Sequence, residues 1–185
     1  MARVILLNGI SSAGKTSLGK RIQALAEADW LLVSMDAFVA LLPDGRENDP
    51  QWFPVAQDRT TDGEARTLIS NGARGAMLLA TMRQFVAELA AEGFDVIVDD
   101  VCTALEVKDY SRRLADHTLI VTKVSVDAEL AESRAKNRGD RLPGLAREQS
   151  ARIHEGVCYD LKVENLDGAL EANAITILES AQANR

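Results

Sequence analysis

The chain has 185 residues, of which 46% are hydrophobic and 26% charged, and a formal net charge of −7. This size and balance suit one soluble domain with a core of its own, and the acidic surplus argues against nucleic acid or an anionic membrane as the main partner, since both reward a basic surface. No apolar run approaches the roughly 18 residues of a membrane span and no charged n-region precedes an h-region, so the expected compartment is the cytoplasm. Cys102 and Cys158 form neither a C-x-x-C pair nor a metal set, as expected for reduced, structural thiols.

Taken in chain order, the apolar run from Val4 predicts a strand over 4–8. It leads into Gly9-Ile10-Ser11-Ser12-Ala13-Gly14-Lys15-Thr16, which fits the phosphate-cradling pattern G-x-x-x-x-G-K-[ST]. Leu18, Ile22 and Leu25 follow at helical spacing and predict a helix over 15–27, completing the strand, loop and helix that the pattern requires. Glycines let consecutive N–H groups converge on an anion, and the helix adds the positive end of its dipole. Gly9, Ser11, Ser12, Ala13, Gly14, Lys15, Thr16 and Ser17 are therefore the nucleotide-binding candidates. Lys15 should reach the β/γ-phosphates of ATP, and Thr16 should hold Mg²⁺.

A second strand is predicted over 31–35 and a helix over 36–42. Asp36 then stands at the carboxyl end of the strand, where a carboxylate could take the proton of an acceptor hydroxyl. It could equally cap the helix. Residues 43–71 contain Pro43, Pro50 and Pro54 and cannot be one regular element; they predict a loop over the crevice at the strand ends, where ligands of open parallel sheets sit. Trp52 and Phe53 in that loop suit an apolar or aromatic acceptor, or a satellite hydrophobic cluster pinning the loop.

A helix over 73–92 precedes a strand over 95–99. Asp99 and Asp100 end this run as a Walker-B pair would, and either could serve Mg²⁺ directly or through water, although Asp is also common at strand ends. A helix over 105–115, a strand over 118–126 and a helix over 128–137 follow. Arg134 and Arg138 share one face of that last helix, and Arg141 comes after Gly139. Guanidinium groups suit the spread charge of a phosphoryl transition state, so 134–144 reads as an arginine lid, with a solvated, ion-paired helix as the plainer reading. The remaining expectations are a helix over 145–155, a strand over 159–164 and a helix over 168–180.

Asn137-Arg138-Gly139-Asp140 superficially matches the guanine motif N-K-x-D, but it ends a helix rather than follows a strand, and no D-x-x-G follows the Walker-B strand. His117 and His154 read as structural, and His154-Glu155 lacks the second histidine of H-E-x-x-H. Strand and helix alternate along the whole chain, the pattern of an α/β domain with a mainly parallel sheet.

Leu7-Asn8-Gly9 with Ser12-Ala13-Gly14-Lys15, Met35-Asp36, Val98-Asp99-Asp100-Val101, Arg138-Gly139-Asp140-Arg141, and His154-Glu155-Gly156-Val157 with Tyr159-Asp160 together resemble the chloramphenicol phosphotransferase family. The resemblance covers nearly the whole chain. It implies a P-loop fold similar to nucleoside monophosphate kinases, a three-layer sandwich whose five parallel strands run in the order 2-3-1-4-5. It further implies ATP- and Mg²⁺-dependent phosphorylation of a small-molecule hydroxyl, chloramphenicol being the first candidate and antibiotic resistance the associated role. Asp36 matches the proposed base, and Arg134, Arg138 and Arg141 match arginines near the phosphates. Serine is usual in the family where Thr16 and Ala37 stand. Thr16 keeps the hydroxyl, whereas Ala37 removes one beside the base. A nucleotide-switched binding protein and a plain nucleotide hydrolase are the alternative functions.

Overall fold

The structure, a computed structural model, describes residues 1–61, 63–138 and 142–183. Its centre is β1 (Arg3–Asn8), whose residues from Val4 onward are all buried. Such an unbroken apolar run belongs to a strand covered on both faces. It pairs in parallel with β5 (Asp95–Asp100) on one side and β6 (Thr118–Ser125) on the other. Outside these lie β2 (Trp30–Ser34), parallel to β5, and β7 (Leu161–Glu164), parallel to β6.

The sheet order is β2-β5-β1-β6-β7. Numbered among themselves, the five sheet strands run 2-3-1-4-5. The chain-order labels differ because two further strands, unforeseen in the sequence, fall between β2 and β5.

Successive side chains of a strand point to opposite faces, and β1 divides the core accordingly. Ile5 and Leu7 join one cluster with Leu18 and Ile22 of α1 (Lys15–Leu25) and Ala174 and Ile177 of α7 (Leu170–Ala183). Val4 and Leu6 join the other, with Met82 and Val86 of α3 (Ala73–Ala91) and Val107 and Tyr110 of α4 (Ala104–Arg113). Helices therefore sheathe the sheet on both sides, giving three layers. No helix among the described residues is long and apolar enough to cross a membrane.

Between β2 and α3 the chain departs from expectation. The helix predicted to reach residue 42 is only α2 (Met35–Val39), capped by the Ser34 hydroxyl, which accepts from Ala37 N. Leu41 N and Leu42 N bond to the carbonyls of Phe38 and Val39, three residues back, tightening the chain just before Pro43, where a helical conformation is disfavoured. Further on, the predicted loop contains an antiparallel hairpin of β3 (Val55–Arg59) and β4 (Ala65–Ile69), with Val55 opposite Ile69 and Arg59 opposite Ala65. Half of its ten residues are polar and six are exposed, and the apolar ones cluster at Val55-Ala56 and Leu68-Ile69 instead of alternating as in a half-buried strand.

This hairpin rests against α6 (Leu145–Arg152), which follows α5 (Ala128–Arg138). The Thr67 hydroxyl donates to Pro143 O at 2.6 Å, and Glu64 pairs with Arg147. Gly144 sits at φ 78°, and a Cβ there would lie 2.1 Å from Ala65 O. Only glycine serves at such a left-handed, close-packed position. Replacing Gly144 by alanine should cost about 1–3 kcal/mol of stability from backbone strain alone, measurable as a lower denaturant midpoint. An unchanged midpoint would mean that the hairpin does not bear on α6 as described.

Candidate active site

The glycine-rich loop leaves the carboxyl end of β1 and is held on two sides. A Cβ at Gly9 would lie 2.5 Å from Val124 O, and one at Gly14 would lie 2.4 Å from Asn165 Nδ2. Asn165 itself donates to Ala13 O at 2.7 Å. Ser12 and Gly14 both adopt positive φ, 63° and 84°, turning the backbone back upon itself before α1 begins. The hydroxyls of Ser11 and Ser12 are buried without a hydrogen-bond partner among the described residues. Donors left unpaired in a curled, glycine-rich loop at a helix N-terminus fit a phosphate.

Lys15 is buried, and its Nζ lies 2.9 Å from Gly9 O and 3.1 Å from Ile10 O, folded along its own loop. Asp99 Oδ1 is 3.6 Å from that ammonium, and Asp99 Oδ2 accepts from the Thr16 hydroxyl at 2.5 Å. The structure thus separates the two aspartates. Strand alternation turns Asp100 away from Thr16, so that its carboxylate accepts from Val101 N at 2.7 Å and the Tyr110 hydroxyl at 3.0 Å. Burial pushes the pKa of Asp100 up. Thr16 and Asp99 offer a hydroxyl and a carboxylate side by side, which suits Mg²⁺, a hard cation that takes few protein oxygens and keeps several waters.

Ser11, Ser12, Gly14, Lys15, Thr16, Asp99 and Asp100 border one cavity of about 1160 Å³, whereas Gly9 and Ala13 lie beneath its surface. Pockets that hold a single drug-sized ligand measure about 300–1,000 Å³, and this cavity exceeds that range. The phosphate loop forms one end. Met35, Asp36, Val39, Phe53, Leu68 and Arg83 border it elsewhere, in a lining that mixes apolar with polar and charged side chains. Asp36 lies in the first turn of α2, whose cap is Ser34, so the capping alternative for Asp36 falls away. The aromatic pair divides: Phe53 is buried on the cavity wall, while Trp52 stacks with the Arg74 guanidinium 5.8 Å from its ring centre.

Of the three arginines expected near the phosphates, the structure places Arg134. Arg134 donates to Asn165 O at 3.1 Å and to Asp167 at 2.7 Å, and it does not border the cavity. It braces the Asn165 turn behind the loop rather than facing a phosphate. The side chain of Arg138, and Gly139, Asp140 and Arg141 in full, lie outside the described residues. Among the described residues, the basic groups that border the cavity are Lys15, Arg66, Arg83 and Arg152. Arg83 is anchored by Asp109 at 2.8 Å, and Arg152 pairs with Glu148 at 3.0 Å. Neither Arg83 nor Arg152 belongs to a recognisable motif. Leu145, Glu148, Gln149 and Arg152 repeat at helical spacing, and that periodicity is the one signal by which the α6 wall could have been found.

A buried network secures the start of the loop. Cys102 N donates to Asn8 Oδ1 at 2.8 Å; since an N–H can only donate, this fixes the orientation of the amide. Asn8 Nδ2 therefore donates to Cys102 O at 3.0 Å and to the Tyr159 hydroxyl at 2.9 Å. The Tyr159 hydroxyl also shares a hydrogen bond with His154 Nδ1, 2.6 Å away. Burial, with Lys123 and Lys15 nearby, lowers the pKa of His154 to about 4, while burial raises that of Tyr159 to about 12. The His154 and Tyr159 segment thus anchors the residue immediately before Gly9.

Comparison with known proteins agrees with this geometry. The profile of a family described as chloramphenicol phosphotransferase-like protein matches residues 2–182. Two proteins of Mycobacterium tuberculosis, strains CDC 1551 and H37Rv, both named "Putative O-phosphotransferase", are 29% identical over 186 residues, spanning 98% of this chain and 83% of theirs. Among solved structures, the M. tuberculosis APS kinase in complex with AMPPNP and APS superposes with a TM-score of 0.64 at 16% identity, covering 96% of this chain and 98% of that one. A gluconokinase from Sinorhizobium meliloti gives 0.61 at 16%, covering 97% and 94%. At such identity the two structures speak for the fold alone, that of P-loop kinases.

The His154 network has a pH signature. The folded pKa lies below the ordinary 6.5, so the neutral form is the one the fold favours. Between the two values the unfolded chain binds more protons, and stability rises with pH. The contribution should be full above about pH 6.5 and be lost as pH falls toward 4. Denaturant unfolding from pH 7 to pH 5 should show this decline in the native protein and a shallower one in His154→Gln; parallel slopes would show that His154 does not titrate as described.

Proposed function

Because the chain belongs to the chloramphenicol phosphotransferase-like family, we propose that it is a kinase that moves the γ-phosphoryl group of ATP to a hydroxyl of a small molecule. The observation that carries this reading is the meeting, on one cavity, of a phosphate loop with its Lys15, Thr16 and Asp99 set and a second carboxylate, Asp36, on a separate element. Two ligand regions in one enclosure are what transfer between two substrates requires. A hydrolase would need only the first.

In this reading the loop N–H groups other than those of Ser11 and Ala13, together with the Ser11 and Ser12 hydroxyls, bind the phosphates. Lys15 exchanges the carbonyls of Gly9 and Ile10 for phosphate oxygens, placing its charge where negative charge collects in the transition state. Thr16 and Asp99 would hold Mg²⁺, which when bound offsets the charge of the β- and γ-phosphate oxygens. Asp36 accepts the proton of the acceptor hydroxyl as its oxygen bonds to the γ-phosphorus. The bond from that phosphorus to the bridging oxygen breaks, and ADP leaves. Apolar Met35, Val39, Phe53 and Leu68 favour an acceptor with a substantial hydrophobic surface. Chloramphenicol has this character and is the first acceptor to test.

Mass spectrometry of reactions containing Mg·ATP with chloramphenicol and other hydroxyl-bearing antibiotics and metabolites, alongside a free-phosphate assay, tests the proposal. We expect one acceptor to gain a phosphoryl group without matching release of free phosphate. Free phosphate that no acceptor can divert would indicate a hydrolase, and turnover raised by a protein partner would indicate a switch. Asp36→Asn should lower transfer by roughly 10²-fold or more while leaving ATP affinity intact; unaltered turnover would remove Asp36 from the mechanism. Lys15→Ala should weaken both triphosphate binding and turnover by a similar order, since it deletes a buried charged donor to the phosphates. Intact binding in that variant would count against the loop assignment.

A further inference from the structure

We propose that Gln149 contacts the nucleotide directly, holding an oxygen of the γ-phosphoryl group through its side-chain N–H donors; this rests on the ATP-dependent reading above. Gln149 projects from α6 and is only 8% exposed. Its Oε1 accepts the Ser11 N–H at 2.6 Å. A backbone N–H can only donate, so oxygen faces Ser11 and the amide nitrogen faces away. Nε2 has no hydrogen-bond partner among the described residues, and the side chain borders the cavity at its phosphate end.

The amide nitrogen opens onto the cavity rather than being sealed in protein, so its N–H donors are available beside the loop to a ligand acceptor. The ligand for which the neighbouring loop is shaped is rich in acceptor oxygens. Around Gln149 the wall is electrically balanced, because Arg152 is paired with Glu148 at 3.0 Å, so a neutral donor can add to the cradle without drawing the phosphates from Lys15.

Gln149 is poorly placed to act as a plug that nucleotide displaces. The start of α6 is tied down by Gly144 N to Glu132 at 3.0 Å and by the Thr67 hydroxyl to Pro143 O at 2.6 Å. The helix continues past Gln149 in a backbone bond from Ile153 N to Gln149 O at 2.9 Å. With its helix so fixed, the amide stays at the loop and completes the donor array there.

The test is calorimetric binding of Mg·ADP and of Mg²⁺ with a non-hydrolysable β,γ-imido ATP analogue to the native protein, Gln149→Ala and Gln149→Glu. A hydrogen bond to a charged group is involved, so Gln149→Ala should weaken the triphosphate analogue by about tenfold or more and leave ADP unchanged. Gln149→Glu can still accept from Ser11 N–H but presents a negative oxygen where the donors stood. It should lose more triphosphate affinity than the alanine variant while unfolding at the same temperature as the native protein. Equal losses for both nucleotides, or a Gln149→Glu variant that binds as the native protein does, would overturn the proposal. Tighter binding of both nucleotides to Gln149→Ala would also overturn it, in favour of a displaced plug. A native protein that binds neither nucleotide would overturn the ATP reading and this contact with it. Selective loss in the variants alongside a failure to phosphorylate any acceptor would uphold the contact and overturn only the transfer.

Discussion

Close packing against the backbone of the phosphate loop, by the Val124 carbonyl at Gly9 and the Asn165 side-chain amide at Gly14, is the constraint on which the rest of the molecule depends. Gly9 lies against Val124 and Gly14 against Asn165, at distances that no Cβ could share. The loop can be squeezed in this way because β1 is the middle strand, with β6 fixed beside it and the turn after β7 wrapping behind. Both faces of β1 are sealed by separate hydrophobic clusters, so the strand end that launches the loop does not shift. Asn8, the last residue of β1, is locked to Cys102 and Tyr159. A phosphate cradle has to be stiff, since donors that must reorganise on binding give up part of what they gain.

The second feature is how the region opposite the loop is assembled. It is built from pieces with little packing of their own: a five-residue helix, a hairpin and the α6 wall. Each leans on another. The carbonyl of Gln51 receives the N–H groups of Arg74 and Gly75 at the start of α3, and Gly72 N bonds to Trp52 O. These bonds satisfy donors that a helix N-terminus otherwise leaves bare. The hairpin in turn rests on α6, and α6 reaches the phosphate loop through Gln149. The hairpin and α6 on one side and the glycine-rich loop on the other are thereby joined by direct contact, so the shape of one cannot change without consequence for the other.

Charge is placed with the same economy. Asp99 and Asp100 are adjacent in sequence yet opposite in circumstance. One faces Lys15 and Thr16, and the other is buried against Tyr110 with its pKa driven up by desolvation. Arg83 is held by Asp109, with Asp100 also nearby, so its charge is balanced from below while it borders the cavity. The net charge of −7 is compatible with anion binding because the cations at the site are local and braced.

Local order along the chain was enough to determine the strand, loop and helix at 3–25, the five parallel strands and most of the helices. These rest on apolar periodicity and on glycine and lysine at fixed offsets, and such signals survive without knowledge of neighbours. Tertiary structure alone decided which aspartate meets Thr16, because strand alternation and register set that choice. It also moved Arg134 to the Asn165 turn, gave the proline-rich segment its hairpin and brought Gln149 to Ser11 N across 138 residues of chain. The hairpin escaped notice because its apolar residues do not alternate along the strands, which are held by pairing and by α6. Gln149 escaped because a single amide carries no pattern; its meaning comes from the loop it touches, and only folding supplies that neighbour.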